Sequence, residues 1–111
     1  MMLFRSEERS EREFAEMTPE EMQGQIKLWQ DWIGGIAAQD KFVATNALGM
    51  QGKVVKANNT LTDGPYIEMK EMVGGYIIVK ADDIDDAVRL SEGCPTLAIG
   101  VTVEVRDVMF F

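Results

Sequence analysis

Six residues give this chain its clearest means of doing chemistry: Asp63, Tyr66, Glu68, Lys70, Glu71 and Arg106. Five of them fall within the nine residues from Asp63 to Glu71, and the sixth lies in an alternating stretch near the C-terminus. A carboxylate in a desolvated cleft can act as a general base, and a neighbouring lysine or arginine can steady an oxyanion. The same two cations could meet an anionic ligand. A plainer reading competes with this one. Asp63 can cap a turn, and Lys70 with Glu71 can form exposed ion pairs contributing about 0–1 kcal/mol. Arg106 can face solvent or the seam between two copies.

Other chemistries are closed off by composition. The 111 residues include no histidine, which removes His-liganded zinc, proximal-His haem, and Ser-His-Asp or Cys-His catalysis. Cys94 is the one cysteine, so no intrachain disulfide can form. It reads as a small buried thiol, with no histidine to activate it. The acidic run Asp82, Asp83, Asp85 and Asp86 reads as a solvated helix start rather than a metal site. No metal or cofactor is expected. A net charge of −8 argues against nucleic acid and anionic membrane surfaces as partners. No apolar run approaches the roughly 20 residues that cross a bilayer. The start, Met1-Met2-Leu3-Phe4-Arg5, lacks the pattern of a signal peptide, so a cytoplasmic location is expected.

The elements that would position the six residues follow from local signals. Met2-Leu3-Phe4 predicts a first strand, and the Glu/Arg-rich stretch from Ser6 to Glu16 predicts a solvated loop. Thr18-Pro19-Glu20-Glu21 is a capping box with proline at the first helical position. Met22, Ile26, Trp29, Ile33 and Ile36 then recur at spacings of four and three, which predicts a helix to about Gln39 with that stripe inward. Trp32 and Leu28 flank the stripe. Phe42-Val43-Ala44 begins a second strand. Glycines at 49 and 52 predict a tight turn into an extra short strand, Lys53 to Lys56. Asn58-Asn59 is a further turn signal. Gly64 before Pro65 is expected to be extended, with Asp63 bonding to nearby backbone N–H groups. Ile67 to Val73 reads as a mixed connection. Gly74-Gly75 allows a bulge or close approach ahead of a strand at Tyr76 to Val79. Asp82-Asp83 caps a second helix carrying Ile84, Ala87, Val88 and Ser91 inward, and Gly93 and Pro95 end it. Val101, Val103 and Val105 alternate with polar residues in a last strand.

The stretch Asp63-Gly64-Pro65-Tyr66-Ile67-Glu68-Met69-Lys70-Glu71 resembles the DGPFAETKE signature of the YCII-related, or DGPF-domain, family. Gly74-Gly75-Tyr76, Asp83 to Ala87, Gly93-Cys94-Pro95, Val103 to Arg106 and Pro19 to Met22 are similar to further segments of that family. The resemblance covers nearly the whole chain, as one domain over 1–111, and implies a dimeric α+β barrel. It does not fix an activity. Members are often encoded beside extracytoplasmic-function sigma factors, which implies a regulatory setting. A related branch carries a His-Asp pair in its cleft. This chain has no histidine, and Cys94 stands near the place of that aspartate. Tyr66 replaces Phe, Met69 replaces Thr, and Asp40 stands where Gly often ends the first helix.

The order of elements is strand, helix, strand, twice over, with an extra hairpin between the halves. This predicts an α+β, ferredoxin-like split βαβ fold: an antiparallel sheet with two helices on one face. The other face is expected to be apolar and to pair with a second copy, giving a homodimer. Two functions fit. One is a small-molecule-binding or regulatory module holding an organic or anionic ligand in a cleft at the dimer interface. The other is a cofactor-independent acid–base enzyme, isomerase- or lyase-like.

Overall fold

A computed structural model describes residues 1–7, 16–49, 51–57, 60–64, 67–68 and 71–109, with residues 7, 60–63, 67–68 and 71 described by backbone alone. Helix α1 spans Pro19–Ala38 and starts as its sequence dictates: Glu21 N–H donates to Thr18 Oγ1 at 3.2 Å, with Pro19 in the first turn. Its end is less comfortable. Asp40 N–H reaches Ala37 O at 2.9 Å and Lys41 N–H reaches Ile36 O at 3.2 Å, the pairing of a Schellman stop. That stop holds Asp40 at φ 59°, where a Cβ is costly. Asp40→Gly should therefore raise the unfolding free energy by about 1 kcal/mol. Urea denaturation of the two proteins checks this, and an unchanged midpoint would count against it.

The inward face of α1 keeps the later part of the expected stripe and loses its first two members. Trp29, Trp32, Ile33 and Ile36 pack on the core, whereas Met22 and Ile26 are exposed. Helix length accounts for the difference. The 20 residues of α1 span about 30 Å, and the six residues of strand β1 (Met2–Glu7) only about 20 Å. The first turns of α1 thus extend past the strand that its later turns cover.

Four strands form the main sheet: β1, β2 (Phe42–Ala47), β6 (Glu71–Val79) and β7 (Thr102–Val105), in the order β2-β6-β1-β7 with every pairing antiparallel. A short β5 (Ile67–Glu68) adds to β6. This is the ferredoxin-like order expected from two split βαβ units. Helix α2 (Ile84–Ser91) is capped by Asp83, whose Oδ1 accepts from Asp86 N–H at 2.8 Å, and a 3₁₀ turn follows at Pro95–Ile99. Both helices cover one face. Phe4 of β1 meets the rings of Trp29 and Trp32 edge-on, and Trp32 Nε1–H donates to Leu90 O of α2 at 3.0 Å. On α2 the buried positions are Asp86, Ala87 and Ser91, while the expected Ile84 and Val88 are exposed. Asp86 is held inward there by Lys41 Nζ and by Asp82 N–H, as described below.

The expected extra strand is present, and local expectations at Gly64, Gly74-Gly75 and Ser6 give way to strand pairing. The extra strand β3 (Lys53–Lys56) pairs with β4 (Thr60–Asp63) in a separate two-stranded sheet. The expected turn signal Asn58-Asn59, between them in sequence, lies outside the described residues. Gly64 closes this hairpin by donating its N–H to Gly52 O at 2.6 Å, and does so at φ 88° rather than extended. Gly74 and Gly75 lie inside β6, not ahead of it. Phe4 pairs with Gly75 and Arg5 with Val73, so Gly74 is the bulged residue. Ser6, expected in a loop, is a buried member of β1; residues 8–15 lie outside the described ones.

Met2 and Ile77 are fully buried at the sheet centre, with Phe4, Ile36, Cys94 and Val101 completing the core. Val103 and Val105 sit opposite Phe4 and Met2 and pack on that same side. The open face is consequently less apolar than the sequence suggests. It carries Leu3, Ala44, Val73, Tyr76 and Ile78, but also Arg5, Thr102, Glu104 and Arg106. Arg5 Nε donates to Glu104 Oε1 at 3.1 Å there.

Candidate ligand cleft

Of the six residues singled out by type and spacing, the backbone sets Arg106 at the opposite end of the sheet from Glu68 and Glu71. Tyr66 and Lys70 lie outside the described residues. Asp63 ends β4. Glu68 of β5 pairs with Glu71 of β6, and Glu71 pairs with Glu7 of β1. Arg106 follows β7 at the opposite end of the sheet, where its N–H donates to Met1 O at 2.8 Å. Its exposed guanidinium stands 3.8 Å from Glu104 Oε2. The six residues of β1 between Met1 and Glu7 separate the two ends by about 20 Å.

A cleft of about 380 Å³ opens instead on the helix side of the sheet. Phe4 and Trp29 wall it, at an edge-to-face centroid distance of 4.9 Å. Ser6, Thr45 and Thr96 bring hydroxyls to it, and Ala47, Leu48, Gly74, Gly75 and Val101 line the rest with Asn46. Each polar group is placed by an element already described. Thr45 Oγ1–H donates to Tyr76 O at 2.8 Å, clamping β2 to β6. Asn46 stands opposite Tyr76 in register and sends its amide to the open face, where Nδ2 donates to the Tyr76 hydroxyl at 3.1 Å, so its backbone is what lines the cleft. Thr96 Oγ1 lies 3.1 Å from Cys94 Sγ, an arrangement set by the 3₁₀ turn that Pro95 begins. The bulge at Gly74 and the bare Cα of Gly75 let β2 approach: a Cβ built on Gly75 would stand 3.0 Å from Asn46 O.

Among the described lining residues none is ionisable. The cleft can therefore bind and orient through apolar surface and neutral hydrogen bonds, and those residues supply no general acid or base near neutral pH. Sequence reasoning passed over Ser6, Thr45 and Thr96 because isolated hydroxyls carry no spacing signal. Ser6 left one trace, since it continues the inward phase of Met2 and Phe4 with a polar group.

The conspicuous charge cluster of the structure serves the fold. Asp86, buried at the start of α2, accepts from Lys41 Nζ at 3.0 Å, from Arg89 at 2.9 Å and from Asp82 N–H at 3.2 Å. The Lys41 hydrogen bond, then that from Asp82, hold its carboxyl below the usual range, against the opposing effect of desolvation. A carboxyl depressed on folding stabilises the native state above its unfolded value of about 4, and that contribution is lost as pH falls through the folded value. Asp86→Asn should lower stability at pH 7 and flatten the acid limb. Urea midpoints between pH 7 and pH 3 check this, and parallel curves for the two proteins would contradict it.

Sheet order, capped helices and a helix-side cleft together define a ferredoxin-like α+β domain. A family model for the YCII-related domain matches residues 31–111, and the chain belongs to that family. No curated protein is similar enough to count as a match. No described helix is long and apolar enough to cross a membrane.

Proposed function

We propose that this domain binds a small organic molecule in the helix-side cleft. The observation that carries the reading is the cleft itself: about 380 Å³, walled by Phe4 and Trp29, with hydroxyls from Ser6, Thr45 and Thr96 at its margin. Ligand sites commonly combine mostly apolar walls with a few placed polar groups in a space of this size. A ligand that favours the native state must raise the unfolding midpoint. A thermal-shift screen of a fragment library is the test, run in parallel on Ala47→Leu, which fills the cleft from an exposed position on β2. Hits that vanish in Ala47→Leu support the reading. Hits that survive it, or no hits on the wild type, count against it.

We also propose that two copies pair through the open face. Leu3, Ala44, Val73, Tyr76 and Ile78 are only half-buried on one chain, and burying them removes apolar surface from water. A two-fold arrangement that reverses the strand ends would set Arg106 of one copy over the Glu68–Glu71 end of the other. That supports a shared role for Asp63, Tyr66, Glu68, Lys70, Glu71 and Arg106 across the seam. Light scattering should give twice the 12.4 kDa chain mass at micromolar concentration, and a stable monomer would overturn the pairing.

A further inference from the structure

We infer that the cleft selects an uncharged ligand whose rim carries an N–H or O–H donor, for example a flat aromatic amide. The inference rests on the cleft reading above and adds the chemistry of what enters. Two observations carry it. The first is the absence of any ionisable side chain among the described lining residues. A carboxylate or phosphate entering there gives up hydration and meets no counter-charge from those residues, and the net charge of −8 repels it on approach. An ammonium is drawn by that field but loses its hydration in the same way. The second is the direction of the Thr45 hydrogen bond. A hydroxyl has one hydrogen and two lone pairs. The hydrogen of Thr45 Oγ1 is committed to Tyr76 O at 2.8 Å. What Thr45 presents to the cleft is a lone pair, which pairs with a donor and not with an anion's oxygen. The rings of Phe4 and Trp29 stand at 87° to each other, a corner suited to a flat body that offers both an edge and a face.

The test uses four matched probes: benzamide, N,N-dimethylbenzamide, benzoate and benzylammonium. The readout is the backbone amide resonances of Gly74, Gly75 and Thr96 and the indole N–H of Trp29 in ¹⁵N-labelled full-length protein. Benzamide should shift these signals saturably. Benzoate and benzylammonium should bind about tenfold more weakly or worse, the charge going uncompensated. N,N-dimethylbenzamide, which has no N–H, should also be weaker. Thr45→Val should weaken benzamide several-fold, and Thr45→Ser should restore it, which separates the hydrogen bond from a general loss of structure. Benzoate or benzylammonium binding as tightly as benzamide at these resonances overturns the inference and leaves the cleft reading intact. Equal binding of the two amides overturns the donor requirement. Silence of these resonances to all four probes sinks the cleft reading and the inference together.

Discussion

Ile77→Ala should lower the unfolding free energy by about 3 kcal/mol, within the 2–5 kcal/mol that deletion of a buried isoleucine side chain costs. Ile77 is fully buried in β6, a strand flanked on both sides, where its backbone pairs with Met2 of β1 and Thr45 of β2. Its neighbours in space include Met2, Phe4 and Ile36, held by two elements that α1 and the sheet cannot easily bring closer. The cavity therefore stays open instead of collapsing, and the loss includes a cavity contribution. Set against a total of about 5–15 kcal/mol for a domain, the change brings the protein near its threshold. The internal control is the next residue. Ile78 points to the open face and is half-buried. Ile78→Ala should cost about 1 kcal/mol or less, because less of its surface leaves water on folding of one chain. Equilibrium urea denaturation of both variants, at a concentration where light scattering gives the single-chain mass, decides it. Equal losses would show that the register of β6 is wrong, since a one-residue slip exchanges the two faces.

Gly75→Val should cost about 1–3 kcal/mol and abolish binding in the cleft. The stability loss and the binding loss have one cause. A Cβ at this position lies 3.0 Å from Asn46 O, 3.4 Å from Ala47 Cα and 3.7 Å from Phe4 Cδ2. The first two contacts are backbone, so relief requires β2 to move away from β6. That movement disturbs the Thr45 and Asn46 hydrogen bonds and the pairing of Leu48 N–H with Gly74 O at 2.8 Å. Gly75→Ala should show a smaller effect of the same sign, because the methyl group meets the same oxygen without the valine branches. Denaturation midpoints and benzamide titration of the two variants give the ordering. Wild-type stability in Gly75→Val would remove the claim that close approach of β2 shapes the cleft.

Elements whose signals lie within a few residues were legible in advance. Thr18 and Asp83 cap their helices as their side chains and following residues require. The pair Gly74-Gly75 marked a bulge and a close approach, and both are present, though inside a strand. Sequence likeness also gave the family, through a motif whose side chains are largely outside the described residues. The misplaced details share a cause. Met22 and Ile26 satisfy helical periodicity as well as Trp32 does, and only the length of the sheet beneath decides which turns are covered. Lys53 to Lys56 is strand-forming by itself, but its partner had to be chosen between β2 and a segment beyond Asn59.

The chain alone determined where the two helices begin, the order of the helices and main strands, and the exclusion of histidine chemistry, because each depends on residue identity and near neighbours along the backbone. Tertiary structure decided which face of each helix is dry, that Asp86 is a buried clamp and not a solvated cap, and that Ser6, Thr45 and Thr96 share a cleft with Trp29. Those residues are up to 90 positions apart, from Ser6 to Thr96. Their meeting is set by strand register and by where bare glycine backbone lets two strands close, which no local pattern encodes.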